Sequence, residues 1–158
     1  LDVDGVLTQG HIIYDDHGAE IKAFNVKDGL GIRLLMKKGI PVGIVTGRSS
    51  TSLLSRCNDL NIDMVFHGIT NKRAILGHIL SSCDILPEHI AYMGDDIPDI
   101  GIMEQVGFPI AVADAHDEVK KQAIWITKAK GGHGAVREVI EMILKSKGVW
   151  EEVLMEFR

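Results

Sequence analysis

Residues 28–48 read DGLGIRLLMKKGIPVGIVTGR, and the spacing of the apolar side chains changes within this stretch. Residues 28–38 carry apolar side chains at helical spacing, whereas residues 41–46 form a short apolar run. A helix followed by a short buried strand is the repeating unit of a parallel sheet with crossover helices. The stretch therefore predicts an α/β fold.

The same alternation extends along the chain in both directions. The predicted strands occupy residues 1–2, 41–46, 64–66, 90–93, 109–112 and 123–126. The predicted helices, several of which begin with Ser, Asn or Asp in capping positions, occupy residues 28–38, 49–60, 71–82, 98–106 and 135–145. We expect one domain over residues 1–158, with a Rossmann-like parallel sheet, flanking helices and a tail at residues 130–158 that includes an apolar-faced helix at 149–157.

Residues 10–26 interrupt this alternation. Two short apolar segments, Ile12-Ile13-Tyr14 and the one containing Ile21 and Phe24, flank the turn signal Asp15-Asp16-His17-Gly18. Apolar runs on either side of a polar, Gly-containing turn predict a β-hairpin. We therefore expect a hairpin insertion after the first strand.

Composition and charge exclude several classes of protein. The formal net charge of −5 argues against a nucleic-acid binder, which needs a basic face. Cys57 and Cys83 have neither metal-site nor disulfide-scaffold spacing, so we expect a cytoplasmic protein. No apolar run reaches the roughly 20 residues that cross a bilayer, so we expect no membrane partner. Leu1 opens directly onto a carboxylate motif, and we expect a few residues to precede it.

Acidic residues stand where two predicted strands end. The first group is Leu1-Asp2-Val3-Asp4-Gly5, and the second is Gly94-Asp95-Asp96 with Asp99 shortly after it. Ligands in open α/β sheets bind at the carboxyl ends of the strands. Clustered carboxylates repel one another unless a cation compensates, and Mg²⁺ prefers oxygen ligands. Either group alone is also typical of a surface turn or a capped helix.

Two further motifs suit an anion at the same edge of the sheet. Thr46-Gly47-Arg48 follows a predicted strand and offers a hydroxyl, a flexible backbone and a guanidinium. Asn71-Lys72 stands at a predicted helix start, where a lysine is unusual because the helix terminus is already positive. Taken singly, each is more typical of a turn or a solvated surface.

The four motifs in this order resemble the haloacid dehalogenase-like phosphatase superfamily. The resemblance implies that Asp2 attacks phosphorus, and that Asp4 protonates the leaving alcohol and then activates water. Mg²⁺ would be held by Asp2, the backbone carbonyl of Asp4 and Asp95. The remaining implied roles are phosphate binding for Thr46, Gly47 and Lys72, and support of this site from the second coordination sphere for Asp96 and Asp99.

The distances along the chain between the motifs indicate which phosphatases of this superfamily the chain resembles. The intervals from Asp4 to Thr46 and from Lys72 to Asp95 are too short for a cap domain. The chain resembles the 3-deoxy-D-manno-octulosonate 8-phosphate phosphatase family along nearly its whole length, including the stretches at residues 2–8, 22–29 and 134–138. The resemblance implies a cytoplasmic enzyme of lipopolysaccharide precursor synthesis that forms a homotetramer in which hairpins meet and a neighbouring subunit completes each active site.

The family's substrate contacts fall on one segment and several cations. They are Asn25, Val26, Lys27, Asp28, Gly29, Arg33, Arg48, Arg56 and Lys72. Guanidinium groups suit a sugar acid that carries both carboxylate and phosphate, although Arg33 or Arg56 alone is equally typical of a surface cation. The resemblance also favours the eight-carbon substrate, because relatives that act on the nine-carbon sugar acid phosphate tend to carry Ser-Gly-Glu where this chain has Thr46-Gly47-Arg48. His133 stands where the family commonly has Arg.

Other readings remain open at this point. A phosphatase for the nine-carbon keto-deoxy sugar acid phosphate and a catalytically weak scaffold domain of sugar-nucleotide metabolism are both alternatives. A two-component receiver domain is a further alternative, but its phosphorylatable Asp precedes a Thr and then a Lys at later strands. Here the acidic cluster at residues 94–99 follows both Thr46 and Lys72, which disfavours the receiver.

Overall fold

Seven helices and seven short strands follow one another along the chain in a computed structural model that describes residues 1–158. In chain order the elements are β1 (Ile13–Tyr14), β2 (Glu20–Ile21), α1 (Val26–Lys37), β3 (Gly43–Val45), α2 (Thr51–Leu60), β4 (Met64–Phe66), α3 (Lys72–Cys83), β5 (Ala91–Gly94), α4 (Ile100–Met103), β6 (Phe108–Ala111), α5 (Asp117–Gln122), β7 (Trp125–Ile126), α6 (Ala135–Ser146) and α7 (Trp150–Met155).

The first two residues join the parallel strands into one sheet. Strand β3 pairs with β4, and β5 pairs with β6, which pairs with β7; all three pairings are parallel. The Asp2 N–H donates to the Met93 carbonyl at 3.0 Å, and the Val45 N–H donates to the Leu1 carbonyl at 2.9 Å. The order across the sheet is therefore β4, β3, residues 1–2, β5, β6 and β7, with all carboxyl ends at one edge.

The core lies where the helices cover this sheet. The sheet strands are short and apolar, as expected for strands buried on both faces. Thirty buried apolar residues form one continuous cluster, and its fully buried members include Ile32, Ile44, Met93 and Ile110. Helices α1 and α6 pack against each other, and Gly31 allows this approach because a Cβ there would lie 3.0 Å from the Arg137 side chain. The parallel α/β fold expected from the sequence is confirmed.

The hairpin at residues 10–26 forms as expected. Strands β1 and β2 pair antiparallel, and the Asp15 carboxylate accepts hydrogen bonds from the His17 and Ala19 N–H groups in the turn. Its apolar side chains are largely in solvent, since Ile13 is 45% exposed and Tyr14 58% exposed. The hairpin leans back towards α2, where the Ser52 hydroxyl donates to the Glu20 carbonyl at 2.7 Å.

Three segments differ from the expected elements. The helix expected at residues 98–106 is a 3₁₀ turn at Ile97–Asp99 followed by the short helix α4. The 3₁₀ turn Pro87–His89 and helix α5 were not expected, because both are too short and polar to show an apolar period. None of the helices has the length and apolar character that crossing a membrane requires.

Candidate active site

The sheet brings four of the expected residues to its carboxyl edge. Asp2 ends the central strand segment, Thr46 directly follows β3, Asp95 directly follows β5, and Lys72 is the first residue of α3. Asp2, Thr46 and Lys72 are buried, which is unusual for a carboxylate and an ammonium unless they are paired. Asn71 caps α3 by accepting the Ala74 N–H, and this fixes the start of the helix and hence Lys72.

Lys72 links two acids inside this cluster. Its Nζ atom lies 2.7 Å from Oδ1 of Asp2 and 2.7 Å from Oδ1 of Asp99. Asp99 also accepts the Tyr92 hydroxyl at 2.7 Å and the Asp95 N–H at 3.0 Å. Asp99 is therefore the carboxylate that fixes both the lysine and the loop carrying Asp95.

Burial and like charge disturb the ionisation of these acids. Burial and the charge of Asp99 raise the pKa of Asp2, although Lys72 opposes the shift. Burial, followed by the charges of Asp2 and Asp99, raises the pKa of Asp95 to about 8. Burial alone would lower the pKa of Lys72, but Asp2 and Asp99 outweigh it and raise the pKa of the ammonium group. The cluster holds more negative charge than one lysine neutralises.

The surplus of carboxylate oxygens fits a divalent cation. Asp2, Asp95 and Asp99 each present an oxygen within 4.8 Å of the others. Asp95 Oδ1 is buried and has no hydrogen-bond partner, so a ligand position stands open there. Asp99 already accepts hydrogen bonds on both oxygens, from Lys72 and Tyr92 on one and from two backbone N–H groups on the other. Asp2 and Asp95 are therefore the better ligands, and a hard ion such as Mg²⁺ suits them.

Gly5 makes room for this arrangement. Its φ of +91° favours glycine, and a Cβ at this position would lie 1.9 Å from Oδ2 of Asp95. The glycine in the Asp-x-Asp-Gly motif therefore lets the loop after the first strand pass directly over Asp95. Asp96 lies further out, is exposed, and caps the 3₁₀ turn by accepting the Ile97 N–H.

Three charged side chains surround Asp4, two from the hairpin and one from the loop that follows β3. The Lys22 ammonium contacts Oδ1 of Asp4 and also the Glu20 carboxylate. Arg48 lies 2.8 Å from Glu20 and 3.9 Å from Asp4. Hydrogen bonds from Arg48 and Lys22 lower the pKa of Glu20, so this carboxylate is ionised between the two cations. Thr46 Oγ1 accepts the Arg48 N–H at 3.3 Å. Gly47, between these two residues, has no side chain to cover the backbone of this loop.

The expected substrate contacts divide into two groups. Asn25 caps α1 and donates to the Gly132 carbonyl at 3.2 Å, while Val26 and Lys27 are exposed. The Arg56 guanidinium lies against Gly29, where a Cβ would approach Nη2 to 2.1 Å, and 5.9 Å from the Phe24 ring. These residues lie together beside the hairpin.

Asp28 lines the same cavity as Asn25, Gly29 and Arg56, whereas Arg33 lies outside it. Asp28 is 1% exposed, and its Oδ1 accepts the Arg137 N–H at 2.7 Å, which caps the N-terminus of α6. Burial raises the pKa of Asp28. Arg33 is exposed on α1 and makes no hydrogen bond or ion pair with the cluster. Oδ1 of Asp28 therefore holds the start of α6, while its Oδ2 is buried without a hydrogen-bond partner. The substrate contacts expected of Asp28 and Arg33 stay predictions.

Sequence reasoning did not include Glu20, Lys22 or Tyr92 in the site. Glu20 and Lys22 are two positions apart around β2, a spacing that places side chains on one face of a strand. An acidic and a basic residue on one face of the predicted hairpin could therefore have indicated that Glu20 and Lys22 belong to the site. Tyr92 lies inside an apolar strand, and nothing in the sequence distinguishes its hydroxyl from that of a core tyrosine.

Two comparisons identify the relatives of this chain. Residues 61–140 match the haloacid dehalogenase-like hydrolase family. The 3-deoxy-D-manno-octulosonate 8-phosphate phosphatase of Escherichia coli K12 is 44% identical over 152 residues, which span 96% of this chain and 81% of that protein. This chain belongs to the 3-deoxy-D-manno-octulosonate 8-phosphate phosphatase family. The family expected from the motifs is thereby confirmed.

Solved structures of this phosphatase family share the fold. The Moraxella catarrhalis 3-deoxy-D-manno-octulosonate 8-phosphate phosphatase, solved with a magnesium ion, a phosphate ion and a KDO molecule, has a TM-score of 0.96 at 39% identity, covering 99% of this chain and 90% of that chain. The cobalt-bound enzyme from Haemophilus influenzae has a TM-score of 0.91 at 40% identity, covering 94% of this chain and 87% of that chain. Both relatives hold a divalent metal.

Proposed function

We propose that this protein is a Mg²⁺-dependent phosphatase that converts 3-deoxy-D-manno-octulosonate 8-phosphate to the free sugar acid and inorganic phosphate. The observation that carries the proposal is the buried cluster at the strand ends, where Lys72 bridges Asp2 and Asp99 while Asp95 keeps an unpartnered oxygen. The identity to phosphatases of this name supports the substrate. The reaction belongs to the supply of precursors for lipopolysaccharide.

Asp2 is the nucleophile in this proposal. Its position beside Lys72 keeps a carboxylate oxygen oriented in a site from which water is largely excluded, and buried charges act more strongly there than in water. Attack on phosphorus gives an aspartyl phosphate on Asp2 and releases the sugar alcohol. Asp4 supplies the proton for the leaving oxygen and then takes a proton from the water that hydrolyses the aspartyl phosphate.

The remaining groups of the cluster balance charge. Bound Mg²⁺ would supply a positive charge beside the transferring phosphoryl group and bring phosphate and Asp2 together. Asp2, Asp95 and the backbone carbonyl of Asp4 would hold the ion. Thr46, Gly47 and Lys72 would bind the phosphoryl oxygens, because a hydroxyl, a backbone N–H and an ammonium group all donate towards the same edge.

Substrate choice rests on the cations near the hairpin. Arg48 lies beside Asp4 and next to Thr46, so a guanidinium stands where the sugar would enter. Its fork geometry suits the carboxylate of the sugar acid. Arg56 and the segment Asn25–Gly29 form the neighbouring wall, and Lys27 is an exposed polar side chain of this wall. Because the resemblance associates an arginine at this position with the eight-carbon acid, Arg48 supports that substrate over the nine-carbon one.

A homotetramer with shared active sites completes the proposal. The hairpin is two-stranded, and apolar residues on it are exposed, namely Ile12, Ile13, Tyr14 and Ile21. Exposed apolar side chains grouped on one hairpin are typical of a contact surface. Arg33 on the exposed side of α1 would then reach a neighbouring site. Two free cysteines agree with a reducing, cytoplasmic location.

The test is phosphate release from a panel of sugar phosphates with and without Mg²⁺. The panel includes 3-deoxy-D-manno-octulosonate 8-phosphate, its nine-carbon relative and a neutral hexose phosphate. We expect preference for the eight-carbon acid, loss of turnover in Asp2→Asn, and full activity in the control Asp59→Asn on the surface of α2. Preference for the nine-carbon acid overturns the proposed substrate, and absence of phosphate release from the whole panel favours the weak scaffold domain.

Light scattering of the active protein tests the proposed tetramer. A monomer with full activity would exclude shared active sites.

A further inference from the structure

Lys22 is a buried cation that the mechanism above does not use. Its side chain is 2% exposed, although it lies on a hairpin whose apolar residues face solvent. The ammonium group contacts two carboxylates, that of Asp4 and that of Glu20. Burying a lysine is costly unless its charge is matched, so this position indicates a specific role.

The contact makes the two oxygens of Asp4 unequal. Oδ1 accepts from the Lys22 ammonium and has the Thr8 hydroxyl at 3.5 Å. Oδ2 is buried and has no hydrogen-bond donor, and the Nε atom of Arg48 lies 3.9 Å from it. One oxygen is held by the hairpin, and the other is free inside the site.

Glu20 fixes the lysine from the opposite side. One of its oxygens faces Lys22, and the other accepts from Nη2 of Arg48 at 2.8 Å. The Glu20 backbone is anchored as well, because residue 20 pairs with Tyr14 in the hairpin and its carbonyl accepts the Ser52 hydroxyl. The hairpin therefore carries a rigid support for Lys22 rather than a free side chain.

We propose that Lys22 is a positioning residue that holds Oδ1 of Asp4 and thereby directs Oδ2, as the proton-transferring atom, towards the leaving oxygen, and that Glu20 orients Lys22. This inference rests on the proposed phosphatase activity. The hairpin thus contributes to proton transfer within its own subunit, in addition to any contact between subunits.

The assigned step balances in both halves of the reaction. In the first half, an Asp2 oxygen bonds to phosphorus, the bond from phosphorus to the sugar oxygen breaks, and the proton on Oδ2 of Asp4 passes to that oxygen. In the second half, Oδ2 accepts a proton from water, the water oxygen bonds to phosphorus, and the Asp2 carboxylate is released with inorganic phosphate. Lys22 exchanges no proton in either half.

The experiment compares two substrates that differ in their need for an acid. An alkyl phosphate such as the sugar phosphate has a poor leaving group and requires proton donation, whereas p-nitrophenyl phosphate has a good leaving group and does not. The value of kcat/KM reports the steps up to aspartyl-phosphate formation. For Lys22→Met we expect kcat/KM to fall about 100-fold for the sugar phosphate, as for loss of an acid catalyst, and less than about fivefold for the aryl phosphate.

Matched variants separate positioning from general damage. Lys22→Arg should recover much of the sugar phosphate activity, and Lys121→Met, which removes a surface lysine paired with Glu118, should change neither substrate. Glu20→Gln keeps the size of the side chain and should show the same selective loss at smaller magnitude, so the test survives if Lys22→Met fails to fold. Adding Lys22→Met to Asp4→Asn should cause no further loss for the sugar phosphate.

Equal losses for both substrates, or unchanged activity in Lys22→Met and Glu20→Gln, overturn the assignment of Lys22 while leaving the phosphatase intact. A wild-type protein that releases phosphate from neither substrate overturns the proposed function itself. The two failures are therefore distinguishable.

Discussion

Lys72 Nζ lies 2.7 Å from Oδ1 of Asp2, and both side chains are buried. The pair joins the first residue of α3 to the end of the central strand segment. The two residues are not an isolated ion pair, because the same ammonium group also contacts Asp99. One cation thus compensates the charge of two buried carboxylates. We therefore expect substitution of Lys72 to affect both activity and stability.

We expect Lys72→Met to abolish measurable phosphate release and to lower the free energy of unfolding by about 3–5 kcal/mol, the range for breaking a buried ion pair. The reason is that Asp2 and Asp99 would face each other without a compensating charge. Chemical denaturation and turnover assays measure the two effects. Lys147→Met, on the exposed end of α6, should change neither, and wild-type stability in Lys72→Met would contradict this view of the cluster.

Tyr92→Phe removes one of the donors that hold Asp99. The hydroxyl donates to Asp99 Oδ1 at 2.7 Å in a buried site, so its loss should cost about 1–3 kcal/mol of unfolding free energy. Because Asp99 also fixes Lys72, we expect a several-fold fall in kcat for the sugar phosphate. Denaturation with urea and steady-state kinetics provide the measurements. Unchanged kcat together with reduced stability would restrict Tyr92 to a packing role.

Gly5→Ala tests the close approach of the loop to Asp95. A Cβ at Gly5 would lie 1.9 Å from Asp95 Oδ2, and the φ of +91° adds strain, so Asp95 must move. We expect at least tenfold weaker Mg²⁺ binding by calorimetry. Gly77→Ala is the matched control, since Gly77 lies within α3 with open space at its Cβ, and it should raise stability by about 0.5–1 kcal/mol. Wild-type Mg²⁺ affinity in Gly5→Ala would contradict the steric argument.

The raised pKa of Asp95 predicts a pH dependence. Its pKa rises from an ordinary value near 4 to about 8 in the metal-free protein, so the folded state binds one proton more than the unfolded state between these values. The stability from this group is therefore fully present below about pH 4 and is lost as the pH rises towards 8. Mg²⁺ binding must displace the proton, so affinity should rise up to about tenfold per pH unit below pH 8.

Titration calorimetry at several pH values, with Asp95→Asn as the comparison, measures this linkage. The variant should bind Mg²⁺ weakly and should lose the fall in metal-free stability between pH 5 and 8 that we attribute to this group. A Mg²⁺ affinity independent of pH in the wild type would show that Asp95 is ionised before the metal binds.

The sequence predicted most of the fold and the order of the site motifs for a physical reason. Short apolar runs and helical periods reflect which side chains are buried between the sheet and its helices. Acidic residues at the ends of parallel strands share one edge of the sheet, so the sequence alone could place Asp2 and Asp95 together. Lys22 could not be placed in the same way, because its contact with Asp4 depends on how the hairpin folds back. Helix α5 could not be predicted, because five of its six residues are polar and they show no apolar period.

Asp28 shows a different limit of sequence reasoning. The resemblance gives this residue a substrate contact, which stays a prediction, and the structure adds a contact that the sequence did not indicate: Asp28 Oδ1 accepts the Arg137 N–H at the start of α6. A carboxylate near the start of one helix and a cap for another helix look alike in sequence. Only the packing of α1 on α6 distinguishes them.

The central claim, that Asp2 is the nucleophile, is tested most directly by the mass of a trapped intermediate. Asp4→Asn should still form the aspartyl phosphate from an aryl phosphate and Mg²⁺, because that leaving group needs no acid, but should hydrolyse it slowly. We predict an intact mass increased by one phosphoryl group, mapped to the peptide containing Asp2 and absent when Asp2→Asn is added. A phosphoryl group on any other residue, or rapid turnover in the Asp4→Asn and Asp2→Asn double variant, would contradict the account.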